Sequence, residues 1–284
     1  MKFDVVFSNP PYNRGLDIKI ISEVFDICEE MIIIHPSTWL LDLKYKTKIY
    51  TDFKTKINNQ AQSFEFFNGN QTFDIDLFVP LVITHINKKY NGKTYIDYFK
   101  SIYTVNDIFD ITKFGDKWES LVKPFYIDIK RHCATTGCIW DKNLFEIDNS
   151  KFHCQLAAIL GNHSKGEKLI KDDFYSPIIK NSNANQGIRQ PNLKRAGNPT
   201  PTFEFCTEKE RNNFIEYLKT DFARFCIALL KINNNLSVGE LELVPWLDFT
   251  EEWDDDKLFQ KFNVSQDLQD YIREFLPDYY GIRK

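Results

Sequence analysis

The sequence predicts an α/β fold. Two apolar runs, Val5-Val6-Phe7 and Met31–His35, are each cut off by proline, and an amphipathic helical repeat lies between them. Strand-like runs alternating with a helix of that period are the pattern of a sheet that starts parallel. Two later apolar runs, Ser63–Phe67 and Leu77–Ile86, flank the turn signal Asn68-Gly69-Asn70-Gln71, so the sheet should end in a hairpin.

Each element has its own warrant. Phe3–Phe7 reads as a buried strand. It must stop at Asn9-Pro10-Pro11-Tyr12, because neither proline has an N–H to give to a ladder. Ile18, Ile21, Val24, Phe25 and Cys28 recur at helical spacing and predict a helix over Asp17–Glu30. Met31–His35 is a second buried strand, closed by Pro36. Thr38–Ile57 is rich in lysine, has apolar residues at helical spacing, and predicts another helix.

After Asn87–Gly92 the character changes. Residues 93–206 mix short apolar runs with Gly, Asn and Ser, which places a domain boundary near 90–105: one domain over 1–95, a second over 96–284. The stretch Lys180–Pro201 is polar, basic and too long for a simple connector, and long loops are often functional. Lys180, Asn185, Arg189, Gln190, Lys194 and Arg195 have the chemistry to meet phosphates and base edges, or else form a solvated loop. Thr207-Glu208-Lys209-Glu210 is a capping box. It opens a helix whose stripe runs through Phe214, Leu218, Phe222, Phe225 and Leu229. Two shorter helices follow, near Asp255–Phe262 and after Ser265, with Asp254–Asp256 as a helix-start cap.

Composition excludes little but sets bounds. At 284 residues, 43% hydrophobic and 27% charged, the chain has the make-up of a globular protein with an ample core, and its 25 Phe point to a Phe-rich one. A net charge of −4 neither favours nor excludes a nucleic-acid partner with a local basic surface. No apolar run approaches the ~20 residues of a membrane span, and no signal peptide is evident. Six scattered cysteines then suggest a reduced, cytoplasmic protein with free thiols. His132, Cys133, Cys138, His153 and Cys154 lack the paired Cys-x2-Cys spacing of zinc knuckles, so no metal is expected.

The turn after the first strand carries the chemistry. Asn9 offers a side-chain oxygen acceptor, Pro10 a backbone carbonyl at fixed φ, and Tyr12 a flat face. Together these suit a planar base with an exocyclic amine: ring on Tyr12, both amine hydrogens accepted, lone pair freed for attack. A base must leave its stack to reach such a site, at a cost of about a few kcal/mol.

This stretch, with the strand Phe3-Asp4-Val5-Val6-Phe7 before it, resembles the (Asp/Asn/Ser)-Pro-Pro-(Tyr/Phe) signature of S-adenosylmethionine-dependent methyltransferases that act on the amino group of adenine in DNA. Ile32–Trp39 resembles the family's next strand and loop, and Phe66–Ile75 a later strand where an aromatic packs on the flipped base. Thr220–Cys226, Val244–Phe259 and Leu276–Tyr280 resemble the C-terminal region of restriction–modification methylases. The resemblance implies a partial Rossmann-like methyltransferase sheet followed by a mixed α+β target-recognition region. It implies Asn9, Pro10, Pro11 and Tyr12 as catalytic residues, Tyr12 and Phe73 as base-stacking rings, double-stranded DNA as partner and S-adenosylmethionine as donor.

One departure matters. In enzymes with this motif order the donor-binding half precedes the signature; here eight residues do. The first strand should then have an unpaired apolar edge, and the donor half is expected on a second polypeptide, unless the edge pairs with a copy of itself or the enzyme is a decayed form. A rival class is a non-catalytic DNA-binding or interaction module derived from such a methylase. A rival within enzymes is methylation of an amine on RNA or on a protein glutamine.

Overall fold

The structure, a computed structural model, describes residues 2–12, 15–41, 43, 47–67, 69–73, 81–143, 151–157, 178–181, 201–231 and 238–276. The chain divides into two compact units, and the described residues change unit at Val122/Lys123.

The first unit is α/β. Its strands are β1 (Phe3–Ser8), β2 (Cys28–Pro36), β3 (Ala61–Phe67), β4 (Leu81–Asn87), β5 (Thr94–Tyr98) and β6 (Ser101–Val105). Its helices are α1 (Leu16–Asp26), α2 (Thr38–Leu41), α3 (Lys48–Ile57) and α4 (Gly69–Phe73). The strands form one mixed sheet in the order β1-β2-β4-β3-β5-β6. β1 and β2 are parallel, as the strand–helix–strand pattern predicts. β3 and β4 form the expected antiparallel pair. β4 is inserted between β2 and β3 and runs against both, so β1, β2 and β3 share a direction.

Four boundaries differ from the sequence expectation. The first helix ends at Asp26, not Glu30, and β2 begins at Cys28. Cys28 pairs with Phe3 and Glu30 with both Val5 and Asn87, so ladder bonds outweigh helical spacing there. Thr38–Ile57 is two helices, with Thr47 in extended conformation ahead of α3. The fourth strand starts at Leu81; residues 77–80 lie outside the described residues. Finally, the first unit runs on beyond residue 95. β5 pairs in parallel with β3, Phe64 against Ile96, and carries β6 through a tight turn at Phe99 and Lys100, both at positive φ.

Pairing registers give the sheet two faces. On one, Met31, Ile33, Phe64, Phe66, Ile86 and Ile96 are buried. Ile18, Ile21 and Phe25 of α1 and Phe53 and Ile57 of α3 are buried too. Trp39 packs on Phe53 and Phe64, with ring centroids 5.2 and 6.1 Å away. The other face carries Phe3, Val5 and Phe7 in line with Glu30, Ile32 and Ile34. β1 is therefore not the buried strand its composition suggests. Phe7 is 74% exposed. Among the described residues β1 pairs with β2 alone, so its outer edge is open.

The second unit is mixed α+β. It contains α5 (Lys123–Thr136), an antiparallel sheet of β7 (Phe152–Ala157), β8 (Ile178–Asn181) and β9 (Thr202–Phe205) in the order β8-β7-β9, then α6 (Glu208–Lys219), α7 (Asp221–Leu230), α8 (Asp255–Lys261) and α9 (Gln266–Phe275). Phe203, Phe205, Phe214, Trp246 and Phe249 form its aromatic core, with Phe205 stacked on Trp246 at 6.0 Å. The capping box is formed: Thr207 Oγ1 accepts from the Glu210 amide at 3.2 Å and Glu210 Oε2 accepts from the Thr207 amide at 2.8 Å. The apolar stripe it opens is not one helix. The chain breaks at Thr220, whose hydroxyl caps α7 by accepting from the Ala223 amide at 3.2 Å. The acidic run caps two helices: Asp254 its own α8, and Asp255 the start of α7.

Candidate functional site

The candidate site is built at the C-terminal end of β1. The last pair of the β1–β2 ladder is Ser8 with Ile33. Beyond it Asn9 and Pro11 are exposed, Pro10 is buried and Tyr12 is half-buried. The buried proline anchors the turn while its neighbours face out. The Tyr12 hydroxyl donates to Asn9 Oδ1 at 2.5 Å and lies 3.3 Å from the carbonyl of Ile34 on β2. The two predicted site residues are thus brought together, and the amide oxygen expected to receive an amine already has a donor.

Behind this turn lies a polar floor that the sequence reading did not identify. Gly15, at φ 83°, starts α1 in the left-handed region. Asp17 in the first turn of α1 is buried, with Oδ2 3.8 Å from Nδ1 of His35 at the end of β2. Nε2 of His35 is 2.8 Å from Thr84 Oγ1 on β4. The floor therefore ties α1, β2 and β4 directly behind Asn9–Tyr12. His35 is fully buried, and burial holds its pKa below the usual imidazole value against the opposing pull of Asp17. It is neutral near pH 7. Burial, then the charge of Asp17, pushes the Tyr12 hydroxyl pKa up, so it remains a donor. Trp39 leans on His35 with centroids 5.3 Å apart, and its indole N–H has no hydrogen-bond partner among the described residues. A signal was present in the sequence: a lone Asp on the apolar face of a helix, and a His after three isoleucines.

Phe73 is 41% exposed at the end of α4, with its ring 6.1 Å from that of Phe67. Phe67 ends β3, so Phe73 sits at the same end of the sheet as Asn9. β2 and β4 stand between β1 and β3, a separation of roughly 14 Å at the usual strand spacing. Lys180 lies in β8, opposite Gln155. Asn185, Arg189, Gln190, Lys194 and Arg195 lie outside the described residues.

Among the described residues no group of three or more His, Cys, Asp or Glu could hold a metal. Burial raises the thiol pKa of Cys133 and Cys154 to about 12 and of Cys138 to about 11, which suits inert core cysteines. Among the described residues no helix is long and apolar enough to cross a membrane. No protein-family model matches the chain, and no curated protein matches it.

Proposed function

We propose that Asn9–Tyr12 is the base-binding half of a site that methylates the amino group of adenine in DNA, in a split or truncated enzyme of the restriction–modification kind. One observation carries the reading: the turn bearing Asn9 and Tyr12 stands at the C-terminal end of a parallel strand with Asn9 exposed, where ligands bind in α/β sheets. Asn9 Oδ1 and the Pro10 carbonyl accept the two hydrogens of the amine. This draws the nitrogen lone pair out of conjugation with the ring. Pro11 fixes the turn, and the face of Tyr12 stacks on the base, which is worth roughly 1–3 kcal/mol. Phe73, at the same end of the sheet, closes on the base from the far side. Lys180, Asn185, Arg189, Gln190, Lys194 and Arg195 meet the DNA.

S-adenosylmethionine is the donor this reading requires, and the residues present do not suit it. The sequence contains no Gly-x-Gly, so no glycine-rich turn is available to approach such a ligand closely, and the strand edge beside Asn9 is open. The reading therefore places the donor outside the residues present, on a second polypeptide in the split form. The chain alone should give no heat of binding with S-adenosylmethionine in calorimetry; tight binding would overturn the split arrangement. A short single-stranded DNA with one adenine should bind more tightly than the same strand with purine, which lacks the amine. Equal binding would overturn the amine clamp, and so would an unchanged preference after Asn9→Ala.

A non-catalytic DNA-binding or interaction module is the second reading. The Tyr12–Asn9 hydrogen bond favours it, because it fills the acceptor that catalysis needs.

A further inference from the structure

The half-exposed face of the first sheet is graded. Toward β3, β5 and β6 it is mixed, with Glu65, Asp97 and Thr104 in outward positions beside Tyr95 and Ile102. Toward β1 the apolar share is greater: Phe3, Val5, Phe7, Ile32, Ile34 and Ile83 stand around the single Glu30–His85 pair. The apolar end adjoins the open edge. Phe3 gives its amide to Ile27 on the β2 side, so by strand alternation Asp4, Val6 and Ser8 turn theirs outward. Among the described residues an unpaired edge and an uncovered apolar face thus meet at one corner, and each is a liability in water.

We propose that this corner docks a strand–helix segment of a second polypeptide. Its strand pairs with the outer edge of β1, and its helix lies across β1 and β2 with basic residues along the inner flank. A helix is about 10 Å wide, roughly two strand spacings, and so covers β1 and β2 together. The basic flank follows from charge: Glu65 and Asp97 on this face complement lysine or arginine, while Glu30 is already paired with His85 Nε2 at 2.5 Å. A second copy of this chain fits badly. Edge-to-edge pairing of β1 with itself leaves Phe3, Val5 and Phe7 uncovered. Face-to-face stacking sets the same carboxylates against each other. The inference deepens the split-enzyme reading by naming the docking surface, and it is tested by association rather than by methyl transfer.

The photo-crosslinking residue p-benzoylphenylalanine is placed at Val5, at Phe7 or, as a control on the same face, at Ile102, which is 64% exposed on β6. Irradiation is done in the native cells, and adducts are sequenced by mass spectrometry. Val5 and Phe7 are expected to label the same second polypeptide, within an amphipathic helix that carries Lys or Arg beside its apolar positions, while Ile102 does not. Glu65→Lys should cut the adduct about fivefold or more, with circular dichroism showing the fold unchanged. The proposal is overturned if the adducts are to a second copy or within the same chain, if none form, if Ile102 labels equally, or if charge reversal has no effect. Labelling as expected with no methyl transfer by the joined proteins would overturn the enzymatic reading alone.

Discussion

The Tyr12 hydroxyl donates to Asn9 Oδ1 at 2.5 Å, so the ring that should stack on a base also closes the acceptor that should hold its amine. An incoming adenine must exchange one hydrogen bond for another at the same oxygen. Tyr12→Phe keeps the ring and frees the oxygen. It should raise the preference for adenine over purine in single-stranded DNA severalfold, read by fluorescence anisotropy. Tyr12→Ala should weaken both by roughly 1–3 kcal/mol through lost stacking. A Phe variant with no greater preference than the parent would show that the hydroxyl is not in competition with the amine.

His35 makes stability depend on pH. Its folded pKa is lowered by burial, so the unfolded chain binds a proton more readily than the native one. The contribution is complete above the unfolded value of about 6.5. It declines as pH falls from there toward the folded pKa. Urea midpoints taken from pH 7.5 to 5 should fall with acidity, and His35→Asn should flatten that slope while lowering stability at neutral pH. A slope unchanged by the substitution would assign the acid sensitivity to other groups.

What was legible in the sequence was local. Prolines at 10 and 36 end β1 and β2, and Thr207 with Glu210 caps α6, because each works through its own neighbours. The turn carrying Asn9 and Tyr12 was visible for the same reason. What depended on distant partners was hidden. Phe3–Phe7 has the composition of a buried strand but lies at an edge, since burial depends on what stands alongside. The insertion of β4 between β2 and β3 leaves no trace in spacing. Asp17 and His35 were not paired because only the return of β2 beside α1 brings them together. The break at Thr220 was masked by an apolar stripe that continues across two helices.

Asp255 holds the start of α7 from a neighbouring helix. Its carboxylate accepts from the amides of Asp221 and Phe222 at 3.0 and 2.9 Å. Burial nevertheless raises its pKa, outweighing those two bonds. Asp255→Ala should cost about 1–2 kcal/mol, in the range of a lost cap, and Asp255→Asn, which keeps one acceptor oxygen of the two, part of that. Thermal unfolding of the two variants decides this. Equal losses would mean that a single acceptor oxygen cannot hold the start of α7.

Gly15 joins the Asn9–Tyr12 turn to α1, and its φ of 83° is the reason it is glycine. Space is not the constraint, because a Cβ there would meet the Tyr50 ring no closer than 3.6 Å. Gly15→Ala should therefore cost about 1–2 kcal/mol through backbone conformation alone. Gly15→Asn should recover part of that loss, since asparagine tolerates the left-handed region although it is the larger side chain. Denaturant midpoints of the two variants separate the causes. Asparagine worse than alanine would mean that crowding against Tyr50 governs the position. Asparagine better than alanine would mean that the left-handed entry into α1, which sets where Asp17 meets His35, is what the glycine preserves.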